Sequence, residues 1–164
     1  MPNHCDQDLF VYGDEVILRE FQEFSKERDN LLSANKYIPY PDRYKKQDEI
    51  AEIARLSGNY NVQDGFNSGG YEWCCQNWGT KWGIYSCALK EEKFSGKRSS
   101  LKYNFESAWS PANKIILAMG QKFPTLRFKL KYYEMGAQFK GTFEVKNGMI
   151  HKNEQTTYKG QRGG

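Results

Sequence analysis

Two tryptophans bracket a Gly-Thr-Lys turn in the stretch NWGTKWG, residues 77–83. Trp78 and Trp82 offer flat π faces, Gly79 and Thr80 offer backbone donors, and Lys81 offers a cation, a set that suits a nucleotide-like anion. Trp109 and Ser110 add a second such place, because they precede a helical pattern whose N-terminus would attract phosphate. An architectural reading stands beside this one. Indoles often fill a core, Gly79 permits a tight turn, and Lys81 would then pair with an acid such as Glu134.

A further set lies on alternating positions of three strand-like runs. Phe10 and Tyr12, then Lys102 and Asn104, then Arg127, Lys129, Lys131 and Tyr133 fall on the side opposite the apolar residues. Aromatic ring plus cation is the chemistry that holds a base and its phosphate together. The competing reading is a sheet face left to solvent or covered by a hairpin.

Catalytic and metal chemistry find less support. The chain has two histidines, His4 and His151, and four cysteines, Cys5, Cys74, Cys75 and Cys87, with one vicinal pair and no CxxC spacing. A mixed site of His4, Cys5 and the Cys74/Cys75 pair needs distant segments to meet, whereas buried structural thiols are common. No GxSxG, Walker A or HExxH pattern occurs, a Cys–His4 dyad has nothing to support it, and Glu134 as a base is outweighed by Glu134 as an ion-pair partner. The expectation is a non-enzymatic protein with no cofactor and no metal.

The elements that must position these residues can be read in order. CDQDLFVYG alternates from Leu9, with Leu9 and Val11 on one face and Phe10 and Tyr12 on the other, and Gly13 stops it. DEVILREFQEFSKERD then repeats apolar residues at Ile17, Leu18, Phe21 and Phe24 with acids in its first turn, which predicts a helix. Residues 30–70 read as an insertion: YIPYPDRY is held extended by prolines, QDEIAEIARL forms a short helix ended by Gly58, and NYNVQDGFNSGG is a long loop.

From Lys81 to about Lys90 alternation predicts a second strand launched by the NWGTKWG turn. SLKYNFESAW is its hairpin partner, with Leu101, Tyr103 and Phe105 inward. SPANKIILAMGQKF predicts a second helix with Ser110 as N-cap, Pro111 at its first position and Ile115, Ile116, Met119 and Phe123 as the apolar stripe. TLRFKLKYYEMG turns Leu126, Phe128, Leu130 and Tyr132 inward, and the final run is a hairpin at Asn147-Gly148. Strand, helix, insertion, strand, strand, helix, strand and an added C-terminal β-hairpin make an α+β, ferredoxin-like split βαβ arrangement: an antiparallel sheet with two helices on one face. The name describes the fold and implies no iron–sulfur cluster, for which ligand spacing is missing. Residues 1–158 are expected to form one domain around the 30–70 insertion, with 159–164 as a flexible tail.

Composition agrees with a folded chain: 164 residues, 38% hydrophobic and 15% aromatic, are too rich in large side chains for disorder. The net charge of +4 is unevenly spread. Residues 1–30 hold eight acidic against three basic side chains, and residues 90–164 hold fifteen basic against six acidic, so the second half is the candidate anion-binding surface. No basic-then-apolar leader and no membrane-length apolar run is present, which, with the thiol pattern, predicts a reduced, cytoplasmic protein that does not enter a membrane.

Four stretches carry a resemblance: MPNHC with its following strand, WCCQNWGTKWG, FESAWSP and YYEMGAQFKG. In these blocks the chain resembles the small ferredoxin-like domain family of phage and plasmid proteins of the YubB type, over most of its length outside the insertion and the tail. The resemblance implies the fold and a mobile-element context in a host cytoplasm, and supplies no catalytic set. The leading expectation is a counter-defence protein that binds an anionic, base-containing ligand, a nucleotide signal or nucleic acid, on the basic-aromatic surface. A protein–protein inhibitor of a host defence protein is the rival, and a nucleotide-processing enzyme the weaker third; a homo-oligomer is compatible with all three.

Overall fold

The computed structural model describes residues 3–160. In chain order they form β1 (His4–Gly13), α1 (Glu15–Ser25), α2 (Ala34–Tyr37), α3 (Asp42–Leu56), α4 (Tyr71–Asn77), β2 (Tyr85–Lys93), β3 (Ser99–Ala108), α5 (Asn113–Lys122), β4 (Arg127–Glu134), β5 (Phe139–Lys146) and β6 (Met149–Thr157). The strands make one sheet in the order β2-β3-β1-β4-β5-β6, and every neighbouring pair is antiparallel. Strand order β2-β3-β1-β4, with α1 and α5 as the crossovers, is the ferredoxin-like α+β fold; β5 and β6 extend it on the β4 side. The tail residues 161–164 lie outside the described residues.

Period-two alternation sorts the sheet into two faces. Leu9, Val11, Leu101, Phe105, Phe128 and Leu130 are wholly or almost wholly buried, and α5 lays Ile115, Ile116 and Met119 into the same core. From α1, Phe21 meets Phe128, Phe123 and Tyr103 edge-on at ring separations of 5.5, 5.6 and 6.3 Å. The Asp14 carboxylate starts α1 by accepting the Val16 N–H at 2.9 Å. Asn147 and Gly148, at φ of +54° and +70°, form the left-handed pair that a type I′ hairpin between β5 and β6 requires.

Three local expectations are corrected. The second strand starts at Tyr85 rather than Lys81, since WCCQN completes α4 and Gly83, at φ +74°, cannot belong to an extended strand. The helix of the insertion begins at Asp42, just after Pro41, rather than at Gln47, and runs to Leu56 before Gly58 (φ +81°) ends it. α5 begins at Asn113, so Ser110 is not its N-cap and Pro111 not its first residue. The long loop before Tyr71 also closes into a wide helical turn, Phe66–Gly70, which Asp64 anchors by accepting from Asn67 and Arg55.

Candidate functional site

NWGTKWG divides in two. Trp78 is 8% exposed and donates its Nε1–H to the Ile38 carbonyl at 2.8 Å, fastening the insertion to the core. Thr80 is buried and closes the turn, its Oγ1 accepting the Gly83 N–H at 2.9 Å. Both are architectural. Trp82, by contrast, is 44% exposed, and Trp109 is 48% exposed. The Lys81 ammonium lies between them, 4.6 Å from the Trp82 ring, 5.7 Å from Trp109 and 5.9 Å from Tyr71. The expected Lys81–Glu134 pair does not form. Glu134 is buried and spends its carboxylate on the backbone N–H groups of Gly136 (2.6 Å) and Ala137, which shapes the β4–β5 connection.

The strand positions predicted to face outward do share one helix-free face, and the register sets them in rows. One row runs Glu106, Asp6, Tyr133, Lys140 and Thr156; the next Asn104, Asp8, Lys131, Thr142 and Glu154; the third Lys102, Phe10, Lys129, Glu144 and Lys152. Tyr12 and Arg127 pair one row further on. Cation and ring meet at Lys102 over Phe10 (5.3 Å) and Arg127 over Tyr12 (5.8 Å), and the Phe10 and Tyr12 rings lie parallel at 6.4 Å.

Carboxylates occupy the same face, and the sequence reasoning missed them. Asn104 Nδ2 donates to Asp6 (2.9 Å) and Asp8 (3.0 Å), the Tyr133 hydroxyl donates to Asp6 at 3.0 Å, and Lys102 stands 3.7 Å from Asp8. Glu144, nearly buried, draws Arg127 to 3.4 Å and Lys129 to 3.7 Å. Three cations of the anticipated anion-binding set, Lys102, Arg127 and Lys129, are thus matched internally. The signal was available: Asp6 and Asp8 continue the even-numbered face of Phe10 and Tyr12 toward the start of the strand.

Two shallow depressions mark this face. The larger, about 520 Å³, lies over Asp6, Asp8, Phe10, Lys102, Lys131, Tyr133, Lys140 and Glu154; the other, about 450 Å³, lies over His4, Asp6, Glu106, Tyr133, Glu134 and Met135. They share Asp6 and Tyr133. Contacts continue past the second: His4 Nδ1 and the Tyr85 hydroxyl share a 2.8 Å hydrogen bond, and Tyr85 meets the Trp82 ring edge-on at 6.2 Å. Burial, then the charge of Glu106, raises the Tyr85 phenol above its ordinary range, so it stays neutral. Ser110 does not join the Trp–Lys patch as a hydroxyl donor at a helix start; its carbonyl accepts the Ser107 Oγ–H at 2.5 Å.

Three of the four thiols are held in the protonated form. Cys5 sits beneath the face with its pKa raised by burial and by Glu134 and Asp6, and burial pushes Cys74 and Cys87 up to about 12. All four cysteines are free, and among the described residues no group of three or more His, Cys, Asp or Glu side chains could hold a metal ion. No helix among them is long and apolar enough to cross a membrane.

The fold and this face define a ferredoxin-like α+β protein with one sheet surface left open. Residues 81–159, β2 through β6, match the family model described as the ferredoxin-like domain in Api92-like protein. The chain is also similar to the crystal structure of protein api92 from Yersinia pseudotuberculosis, with a TM-score of 0.61 and 10% sequence identity over 98% of this chain and 99% of that one. At that identity the likeness is one of fold. No curated protein matches the sequence.

Proposed function

We propose that the open sheet face binds an anionic, base-containing ligand, a nucleotide or nucleic acid, without transforming it. The observation that carries this reading is the pairing of rings with cations on a surface that no helix covers: Phe10 with Lys102, Tyr12 with Arg127, and Lys81 with Trp82 and Trp109. The rings stack on bases, Lys81, which faces rings rather than a carboxylate, meets a phosphate, and carboxylates such as Asp8 can accept from exocyclic amino groups. The resemblance to phage and plasmid proteins supports a counter-defence role in a host cytoplasm, where the protein would sequester such a ligand. The test is to purify the protein from cells, denature it, and identify released small molecules by mass spectrometry, beside thermal shifts with nucleotides and oligonucleotides. A ligand at about a hundred times its Kd should raise Tm by roughly 5–10 °C. No released nucleotide and no shift with any member of the panel would sink the reading.

A protein–protein inhibitor is the second reading, favoured by one observation on the insertion. Ile50, Ile53 and Leu56 stand exposed along α3, with Tyr60 beyond its end, an apolar ridge that a host enzyme could cover. Stoichiometric co-purification of a host protein that Ile53→Asp abolishes would support this; retention of that partner by the variant would exclude the ridge.

A further inference from the structure

The exposed indoles at the sheet end have no role in packing the core, and their setting suggests what they do. Trp82 and Trp109 come from different segments, the turn before β2 and the residue after β3, yet both rings lie within 6 Å of one ammonium, Lys81. Trp109 is held at φ +67°, a left-handed conformation that a bulky residue rarely adopts, while its N–H is fixed to the Asn3 carbonyl at 2.9 Å. The same turn returns the Ser110 N–H to the Ala108 carbonyl at 2.9 Å and leaves the Trp109 ring half-exposed at the sheet end. A cation facing rings rather than a carboxylate remains able to meet a phosphate.

The patch joins the open face through contacts already described, Trp82 to Tyr85 to His4, and His4 lines the smaller depression. Stacking positions therefore sit at both ends of one continuous path, with Phe10 and Tyr12 at the other. His4 and Phe10 are six residues apart on β1, about 20 Å at the rise of an extended strand, and the Trp patch lies beyond His4. Stacked nucleotides rise about 3.4 Å each, so about six cover the distance from Phe10 to His4 alone and more are needed to reach the Trp patch when stacked, fewer when the backbone is stretched.

We propose that the Trp82–Lys81–Trp109 patch is a second stacking subsite of the open face, and that the ligand is a single strand of nucleic acid long enough to occupy both ends. This rests on the reading of the open face given above and chooses, among base-containing anions, the oligomer over the free nucleotide. Duplexes are excluded by the same geometry, because stacking on rings requires bases freed from pairing.

The experiment is fluorescence anisotropy with labelled single strands of mixed sequence, about two to about twelve nucleotides long, as DNA and as RNA, at fixed salt. Affinity should climb with length and level off near six to eight nucleotides. Trp82→Leu and Trp109→Leu, which keep apolar bulk but cannot stack, should each weaken binding of a strand of about eight nucleotides by about 5- to 100-fold, with a smaller loss for a dinucleotide. Lys81→Gln should weaken the longer strand and make its binding less salt-dependent. Circular dichroism confirms that each variant is folded. A mononucleotide that binds as tightly as the longest strand overturns the two-ended ligand while leaving the open face as a binding site. Unchanged affinity in both folded Trp variants overturns the subsite. Binding of a host protein but of no nucleic acid overturns both, and a preference between the DNA and RNA series identifies which strand is the ligand.

Discussion

Gln7 joins three parts of the molecule from one wholly buried position on β1. Its Nε2 donates to the Ser107 hydroxyl at 2.5 Å and the Cys5 carbonyl at 3.4 Å, and its Oε1 accepts the Ala112 N–H at 2.9 Å. This side chain, not the Ser110 hydroxyl, fixes the approach to α5. Gln7→Leu fills the same space but strands the buried Ala112 N–H and takes one of the two hydrogen bonds of the Ser107 hydroxyl, so chemical denaturation should show a loss of about 1–3 kcal/mol; a loss below about 1 kcal/mol would mean that water replaces it. Glu27 offers a titratable counterpart after α1. Its carboxylate accepts from Ser33 Oγ at 2.6 Å and Asn35 Nδ2 at 3.0 Å, and these bonds hold its pKa below the ordinary 4.5. A depressed carboxyl contributes stability that is present above 4.5 and disappears as pH falls through the folded value. The stability gap between the native protein and Glu27→Gln should therefore be widest near neutral pH and narrow as pH falls below 4.5; urea midpoints across that fall measure it, and a gap that does not narrow contradicts the assignment.

At the scale of elements, α5 shows why propensity alone misleads. Gly120 lies inside this helix, where alanine would ordinarily be favoured by about 1 kcal/mol. Here a Cβ would run into Val145 Cγ1 of β5, so the helix sits close against the sheet because residue 120 has no side chain. Gly120→Ala should destabilise by about 1–3 kcal/mol despite its better propensity, and a neutral or stabilising result in thermal melts would show that β5 can yield. The same contrast explains what the sequence disclosed. Strands β1, β3 and β4 and the type I′ hairpin were legible because alternation and Asn-Gly are local signals. Where α5 begins was not, since Gln7, which fixes its approach, is 105 residues from Ala112. The start of β2 was misjudged because Trp82 and Ile84 imitate alternation, whereas Thr80 folds back on Gly83 and Ser86 at φ +51° adds an irregularity to the strand.

At the scale of the whole molecule, helices cover one sheet face and leave the other to solvent, and charge on the open face is more balanced than the basic second half of the sequence implies. Most side chains of that face could be read from strand parity, which placed Tyr12, Lys102, Arg127, Lys129, Lys131 and Tyr133 together. The state of their charges could not, because the partners of Lys102 and Lys129 come from neighbouring strands whose register no single strand reveals. This balance has a measurable consequence for the proposed ligand. Each phosphate neutralised on a single strand contributes about −0.7 to the slope of log K against log salt. With Arg127 and Lys129 drawn to Glu144 and Lys102 to Asp8, a strand lying over Lys81 and Lys131 should show a shallow slope of about −1 to −2. Glu144→Gln removes the carboxylate that occupies Arg127 and Lys129 and returns two cations to the surface. It should tighten binding at low salt and steepen the slope by about 1.4. Anisotropy titrations of both proteins over a salt series decide the matter: an unchanged slope in the folded variant would mean that the strand does not pass over Arg127 and Lys129, and that the Phe10–Tyr12 end of the face is not where it binds.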